Sequence, residues 1–475
     1  MIEAAIAYYY ATDSDRFISL AKRYVDCIER VFKVEASAEF VTPGHQEIEL
    51  ALVKLYRVTG ERKFLDLAGF FILNRGGNDK DMPVLDDKLH AQDYAQAEDI
   101  DTAYGHAVRC LYMLSGMADY GYCANNKKVL ESCVKMFEDI TERKMYITGG
   151  TGSTSIGEAF SIPYDLPVET AYSETCASIA LMMFADRMCR IFKEAKYADV
   201  VERAMYNGML SGISLDGSAF FYENPLEITL SKRQKPTVKA GAERLPCIQR
   251  KKIFDCSCCP PNLNRTLSSM EGYIYHVDGS ACYINQFMSS SIRYGDIEIT
   301  QKTNYPWDGY VEIKTRGKGA LYIRIPAWCA DFKLSKSYIV KNGYAVVEFD
   351  SETISADMNI SPFLVESNPL VEAASGKVAL QCGPVVYCAE GIDNEMNLNA
   401  LYISNISNIK VTYNGYFRGN TIELDAFYVV HSGRLYTRLE NEAKSVRVKF
   451  IPYYAFANRG ETDMKVWMNF RGGIV

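Results

Sequence analysis

Along its first half the chain spaces apolar residues three and four apart; beyond about residue 275 it alternates them with polar ones. The runs "IEAAIAYYYA" and "IELALVKLYRV" have the helical spacing. They are followed by "TDSDRFISLA" (12–21) and "TGERKFLDLA" (59–68), which share Thr, Phe, Leu and Ala in the same places, 47 residues apart. Further apolar-periodic runs follow both. The repeat predicts a helix, a tight turn opened by Thr12 or Thr59, and a second helix, an αα-hairpin. Segments 107–140 and 176–210 continue in this style with poorer matches. Hairpins of this period pack as an open solenoid or a closed α/α toroid, and periodicity does not choose between them.

Between residues 275 and 285 the period becomes two. "IEITQKTNY", "GYVEIKTRG", "GALYIRIPAW" and "GYAVVEFD" read as antiparallel strands between turn residues, and "KVALQCGPVVYCAE" as a more continuously buried strand pair. "NIKVTYNGYF", "TIELDAFYVV" and "SVRVKFIPYYAF" carry the pattern to the end. About ten strands behind a helical half predict an α+β multidomain chain, with a helical domain followed by antiparallel β-sandwiches. The boundaries expected are 1–275, 276–380 and 381–475.

A length of 475 residues suits two or three domains. The net charge of −7, without a basic stripe, argues against nucleic acid or an anionic membrane as partner. No apolar run reaches membrane-spanning length. Fourteen cysteines scattered through apolar segments suit a reducing compartment, so a cytoplasmic location is expected. "MIEAAIAYYYATD" opens directly in a helical pattern: either an ordinary helical start, or Met1 falling inside a longer ancestral sequence.

The chemistry-bearing candidates lie mostly in loops of the helical half. "DCSCCPPNLNR" puts Cys256, Cys258 and Cys259 before two prolines, and "SETCAS" offers Glu174 and Cys176. Glu174, Cys176, Cys258 and Cys259 make a ligand set that suits zinc, although unligated buried thiols fit the spacing equally well. The spacing assigns Cys256 no role. Glu158, in the glycine-rich "ITGGTGSTSIGEAF", is a general-acid candidate, but taken alone it reads better as a solvated loop glutamate. His45 and His106 each follow a glycine at the head of a helix, where a sugar-facing or a capping role fits equally. Tyr222 and Asn224 in "FYENPLE" read as cavity residues or, more readily, as strand packing.

Together "YSETCAS", "CSCCPPNLNR", the paired Gly-His helix starts, "FYENPLE", "LYIRIPAWC" and "IPYYAFANRG" resemble glycoside hydrolase family 127, the β-L-arabinofuranosidases, over nearly the whole chain. The resemblance implies an (α/α)6-type helical barrel followed by β-sandwiches. It implies a retaining exo-hydrolase that releases L-arabinose from non-reducing-end β-L-arabinofuranosides. Its zinc ligands are Glu174, Cys176, Cys258 and Cys259, its nucleophile is Cys258 and its acid/base Glu158. His45, His106 and Tyr222 match sugar-binding positions. The implied substrate is a plant-derived arabinofuranosyl oligosaccharide or glycopeptide, and a homodimer is compatible with it. The family also implies helices and a further Gly-His segment upstream of Met1, so the barrel is expected here in part. Two rival classes remain: a non-catalytic, zinc-containing carbohydrate-binding remnant, and an epimerase or lyase on the same toroid. The thiol cluster argues against the epimerase, which needs no metal thiolate.

Overall fold

The computed structural model describes residues 1–77, 88–233, 245–430, 433–436 and 443–472. They pack as two compact units: residues 1–145, 151–163 and 183–191, and residues 146–150, 164–182 and 192–475.

In the first unit the repeat is a pair of helical hairpins: α1 (Ile2–Thr12) with α2 (Arg16–Glu29), and α3 (Ile48–Thr59) with α4 (Arg62–Asn74). The repeated threonine does the same work in both. Thr12 Oγ1 donates to the Tyr8 carbonyl (2.7 Å) and accepts from Ser14 N–H; Thr59 Oγ1 donates to Leu55 O (2.8 Å) and accepts from Glu61 N–H. The residue that follows, Asp13 or Gly60, turns left-handed and ends the helix. Ile6, Ile18, Leu55, Phe64 and Leu67 meet in a core shared by all four helices. A third hairpin follows as α5 (Ala107–Ala124) and α6 (Lys127–Arg143). Beyond it, α7 (Thr175–Phe192) belongs to this unit only over residues 183–191, and α8 (Ala195–Arg203) lies in the second unit; both fall in the segment 176–210, whose periodicity predicts helix.

The second unit holds the described strands except for one pair of two-residue strands in the first. The change of period is met at Tyr275, where the first strand of a long β series begins. Nineteen strands lie between Tyr275 and Phe470 among the described residues, more than expected. Pieces such as Phe332–Leu334 and Ile339–Lys341 are too short to show an alternation. Residues 275–358 form two five-stranded sheets. Ile299, Val311 and Ile313 from one sheet, and Leu321, Ile323 and Val347 from the other, fill one core. The C-terminal strands form a ten-stranded sheet. Six of its strands pair in a ring, because Lys377–Cys382 bonds both to Trp467–Phe470 and to Val385–Glu390. Both Lys377–Cys382 and Val385–Glu390 are buried almost throughout, as their unbroken apolar run requires. The strands Pro362–Glu366 and Lys377–Cys382 bond into this sheet, so the division drawn between 380 and 381 falls within a strand. The sheet also takes in Glu227–Ile228, which pairs with Met464–Lys465.

One buried charge cluster ties α8 to the first strand pair of sheets. Arg324 is fully buried and donates to Asp199 Oδ1 (2.5 Å), to both Glu202 oxygens and to the Asn285 carbonyl. Tyr305 Oη (2.5 Å) and Trp328 Nε1 (3.1 Å) complete the shell of Glu202. The motif "LYIRIPAWC" therefore supplies Arg324 and Trp328 to the same carboxylate. Removing one partner of such a cluster strands the other charge away from water. Arg324→Met, which keeps the volume and deletes the charge, should cost about 3–5 kcal/mol. Thermal and urea denaturation read this; a loss below about 1 kcal/mol would show that the cluster does not hold the contact.

Candidate active site

Glu174 and Cys176 stand at the first turn of α7, and a buried amide fixes that turn. Asn224 Nδ2 donates to the Ser173 carbonyl (2.9 Å) and to Thr175 Oγ1 (3.0 Å), while Ser211 Oγ donates to Asn224 Oδ1 (2.9 Å). Thr175 in turn donates through Oγ1 to Phe221 O and through its N–H to Tyr222 O. Ser173 is held left-handed at φ 40°, a conformation that costs a non-glycine residue about 1–2 kcal/mol. Gly150 makes room for it, since a Cβ there would lie 1.9 Å from Ser173 Oγ. Asn224 thus fits neither of its two readings: it lies outside the strand Glu227–Ile228, and its amide ties down the head of a helix.

Cys258 and Cys259 arrive on the helix Cys259–Leu267, whose first turn holds Pro260 and Pro261. Proline fits there because those N–H groups have no helical acceptor, and its fixed φ stiffens the turn that carries the thiols. Cys176 Sγ lies 3.6 Å from Cys258 Sγ and 3.5 Å from Cys259 Sγ, and the latter two are 3.8 Å apart. Glu174 Oε1 is 3.6 Å from Cys258 Sγ and 4.0 Å from Cys259 Sγ. Three sulfurs and a carboxylate oxygen so grouped can hold a metal ion. Hydrogen bonds from Cys176 and Cys259 push the Cys258 thiol down. The Cys176 thiol is pushed up by its bond with Cys258, and Cys259 by its bonds with Cys176 and Cys258. Negative charge therefore settles first on Cys258. The Tyr222 hydroxyl is hydrogen-bonded to Cys258; burial, then the charge of Glu174, pushes it up. Cys256 is exposed, and its thiol also bonds to Cys258.

A second polar group lies in the first unit. The short strand Gly105–His106 pairs with Ala159–Phe160, which sets Glu158 beside His106. His106 caps α5: its Nδ1 accepts from Arg109 N–H (3.4 Å), so the neutral ring carries its proton on Nε2. Nε2 lies 2.6 Å from Glu158 Oε2 and donates to it. Gly157 and Glu158 are both left-handed, at φ 67° and 54°. At Gly157 that conformation is free of strain, whereas Glu158 is held in it by the bridge between Thr154 and Ala159. His45 stands three residues ahead of α3, on a loop that two guanidinium groups hold. Arg75 donates to Pro43 O (2.7 Å) and Arg109 to Gly44 O (2.6 Å). The rings of His45 and His106 are 6.0 Å apart.

The structure thus groups Glu174, Cys176, Cys258, Cys259 and Tyr222 in one unit, and His45, His106 and Glu158 in the other. The sequence reading missed His90, whose ring stands edge-on 5.3 Å from that of His106. His90 follows no glycine and heads no helix, so nothing in its local pattern sets it apart. None of the fourteen cysteines is in a disulfide, and no helix among the described residues is long and apolar enough to cross a membrane.

Comparison with known proteins agrees along the whole chain. Residues 1–272 match the family profile described as beta-L-arabinofuranosidase, GH127 catalytic domain. Residues 281–350 match the GH127 middle domain and 362–469 the glycoside hydrolase family 127 C-terminal domain. A non-reducing end beta-L-arabinofuranosidase of Bifidobacterium longum subsp. longum is 32% identical, over 98% of this chain and 77% of that protein. The crystal structure of a GH127 beta-L-arabinofuranosidase from Geobacillus stearothermophilus T6 superposes with a TM-score of 0.92. It is 37% identical and covers 99% of this chain and 79% of its own. A second GH127 beta-arabinofuranosidase structure gives a TM-score of 0.86 at 34% identity, over 99% of this chain and 75% of its own.

The amide that fixes the α7 turn yields a test. Asn224→Ala leaves the buried Ser173 carbonyl without its donor, while Ser211 Oγ keeps Gly208 O, at a cost of about 1–3 kcal/mol. It also loosens Glu174 and Cys176, so a bound metal should pass to a chromophoric chelator at least ~10-fold faster than from the parent protein. Unchanged stability and transfer would leave Asn224 with no part in holding the cluster.

Proposed function

Since the chain belongs to glycoside hydrolase family 127, we propose that it is a retaining, exo-acting β-L-arabinofuranosidase, releasing L-arabinose from non-reducing-end β-L-arabinofuranosides. The observation that carries this reading is the convergence of Glu174, Cys176, Cys258 and Cys259. With metal–sulfur bonds of about 2.3 Å and a metal–oxygen bond of about 2.0 Å, a zinc tetrahedron has S···S edges of about 3.8 Å and S···O edges of about 3.5 Å. The sulfurs stand 3.5 to 3.8 Å apart, and Glu174 Oε1 lies 3.6 and 4.0 Å from two of them. The donor set fits zinc in both softness and size.

Bound zinc would keep the thiols in their thiolate form at neutral pH. Cys258 then acts as nucleophile: its sulfur attacks the anomeric carbon while Glu158 protonates the departing oxygen. In the second half Glu158 takes a proton from water, and the hydroxide displaces the sulfur. The His106 proton on Nε2 suits this exchange. It stabilises the ionised Glu158 that activates water. His45 and Tyr222 are assigned to sugar hydroxyls, His106, whose two nitrogens serve Arg109 N–H and Glu158, to the wall of the same sugar site, and the helical hairpins to part of an (α/α)6 barrel. Fourteen cysteines without a disulfide support a reducing, cytoplasmic setting. Plant-derived arabinofuranosyl oligosaccharides or glycopeptides are the proposed substrates.

Protein purified without added metal should carry one zinc per chain by elemental analysis. Cys176→Ala, Cys259→Ala protein should carry almost none; equal zinc in both would place the metal elsewhere. The division of labour has its own readout. Glu158→Gln treated with a 4-nitrophenyl β-L-arabinofuranoside should release nitrophenol in a burst, then stall with one pentosyl unit on Cys258. Cys258→Ser should give no burst. A pentosyl label mapped to any other residue would move the nucleophile, and NMR showing inversion in the first-formed sugar would reject the retaining mechanism.

A further inference from the structure

Within the second unit a cleft of about 500 Å³ is lined by side chains that share nothing with the thiol cluster or the histidines. Its walls include Tyr206, Trp307, Phe417 and Tyr454, and its polar contributions come from Asp216 and Arg418. Four separate stretches meet there: the turn after α8, the loop at Pro306–Trp307, the hairpin tip between Lys410–Asn414 and Gly419–Val429, and Tyr454. Gly419 lets them close up, since a Cβ there would lie 2.6 Å from the Trp307 ring and 2.5 Å from Tyr454 Oη.

The two charged groups are presented differently from ordinary surface charges. Asp216 is oriented by Ser214 Oγ (2.6 Å) and by Ser218 through both N–H (3.0 Å) and Oγ (2.9 Å). These bonds hold its carboxyl low and ionised, and Oδ2, which Ser218 Oγ also reaches (2.9 Å), keeps a second lone pair for a ligand. The Arg418 guanidinium makes no hydrogen bond or ion pair with any described residue, and it does not pair with Asp216. An oriented acceptor, an uncommitted forked donor and the half-buried rings of Tyr206 and Trp307 match a neutral polyhydroxylated ligand. Its C–H face lies on a ring and its vicinal hydroxyls take the fork and the carboxylate. A phosphorylated or carboxylated ligand would meet Asp216, and a purely apolar one would strand both charges. The volume lies within the range of small-ligand clefts, about 300–1,000 Å³.

We propose that this cleft is a second carbohydrate-binding site, which holds a saccharide unit of the glycan whose terminal arabinose is removed at the thiol cluster. The proposal rests on the glycosidase reading for the identity of the glycan, but its binding test does not. Affinity electrophoresis through soluble arabinan and through arabinogalactan would be run on Cys258→Ser protein, so that nothing is consumed. Arg418→Ala and Trp307→Ala would be added to that background, with thermal midpoints measured on each.

At least one polymer should retard the parent, and Arg418→Ala, an exposed change, should weaken that retardation about tenfold. In the otherwise unaltered enzyme, Arg418→Ala should leave hydrolysis of a small aryl arabinofuranoside unchanged. Retardation by neither polymer, or retardation equal in the parent and in folded Arg418→Ala and Trp307→Ala, would overturn the proposal. Retardation that depends on Arg418, in a chain inert toward the aryl arabinofuranoside, would keep the cleft and overturn the glycosidase reading instead.

Discussion

Three thiols and a carboxylate with ligand atoms all within 4.8 Å of one another impose an electrostatic constraint that much of the second unit serves. Two like charges 3.6 Å apart, the Cys176–Cys258 spacing, repel by about 5 kcal/mol at an effective dielectric of 20. Without a cation the group relieves this by sharing protons, with the charge resting on Cys258. With one it becomes a ligand set. In either state the backbone must hold together groups that would otherwise move apart. The left-handed Ser173, the Asn224 amide and the proline pair after Cys259 meet that demand.

The support extends beyond the segments that carry the ligands. Tyr453 Oη donates to the carbonyls of Asn224 and Pro225. Arg250 lies over the rings of Phe221 and Phe456 and donates to the carbonyls of Ser211, Tyr454 and Phe456. The motif "IPYYAFANRG" thus stands behind "FYENPLE", which bears Tyr222 and Asn224. The C-terminal sheet is a buttress for the segment that fixes the first turn of α7, and the same logic places Arg324 and Trp328 beside Glu202 of α8.

Much of this was legible in the sequence where a local pattern has a local cause. The Thr12 and Thr59 repeat marked two turns because a threonine hydroxyl caps a helix end within its own neighbourhood. The buried pair within "KVALQCGPVVYCAE" was visible because a strand covered on both faces loses its polar alternation. The thiols and Glu174 were legible as ligand types, but their meeting was not: Cys176 and Cys258 are joined by tertiary packing alone. For the same reason Asn224 looked like one strand residue among others, and His90 gave no signal. Pro362–Glu366 was assigned to the wrong side of a boundary because strand order is long-range and leaves no mark in periodicity.

The pairing of Glu227–Ile228 with Met464–Lys465 bears on how the chain is made. A ribosome adds about 5–20 residues each second, so the partner of the earlier strand does not exist for roughly ten seconds or more after that strand emerges. Tyr453, which holds the Asn224 carbonyl, is almost as late. During synthesis Cys176, Cys258 and Cys259 are therefore all outside the ribosome before the sheet that steadies their supports can close. Assembly of the thiol cluster waits on Tyr453 and Met464–Lys465, and until those residues are made these cysteines lack the supports the fold later gives them.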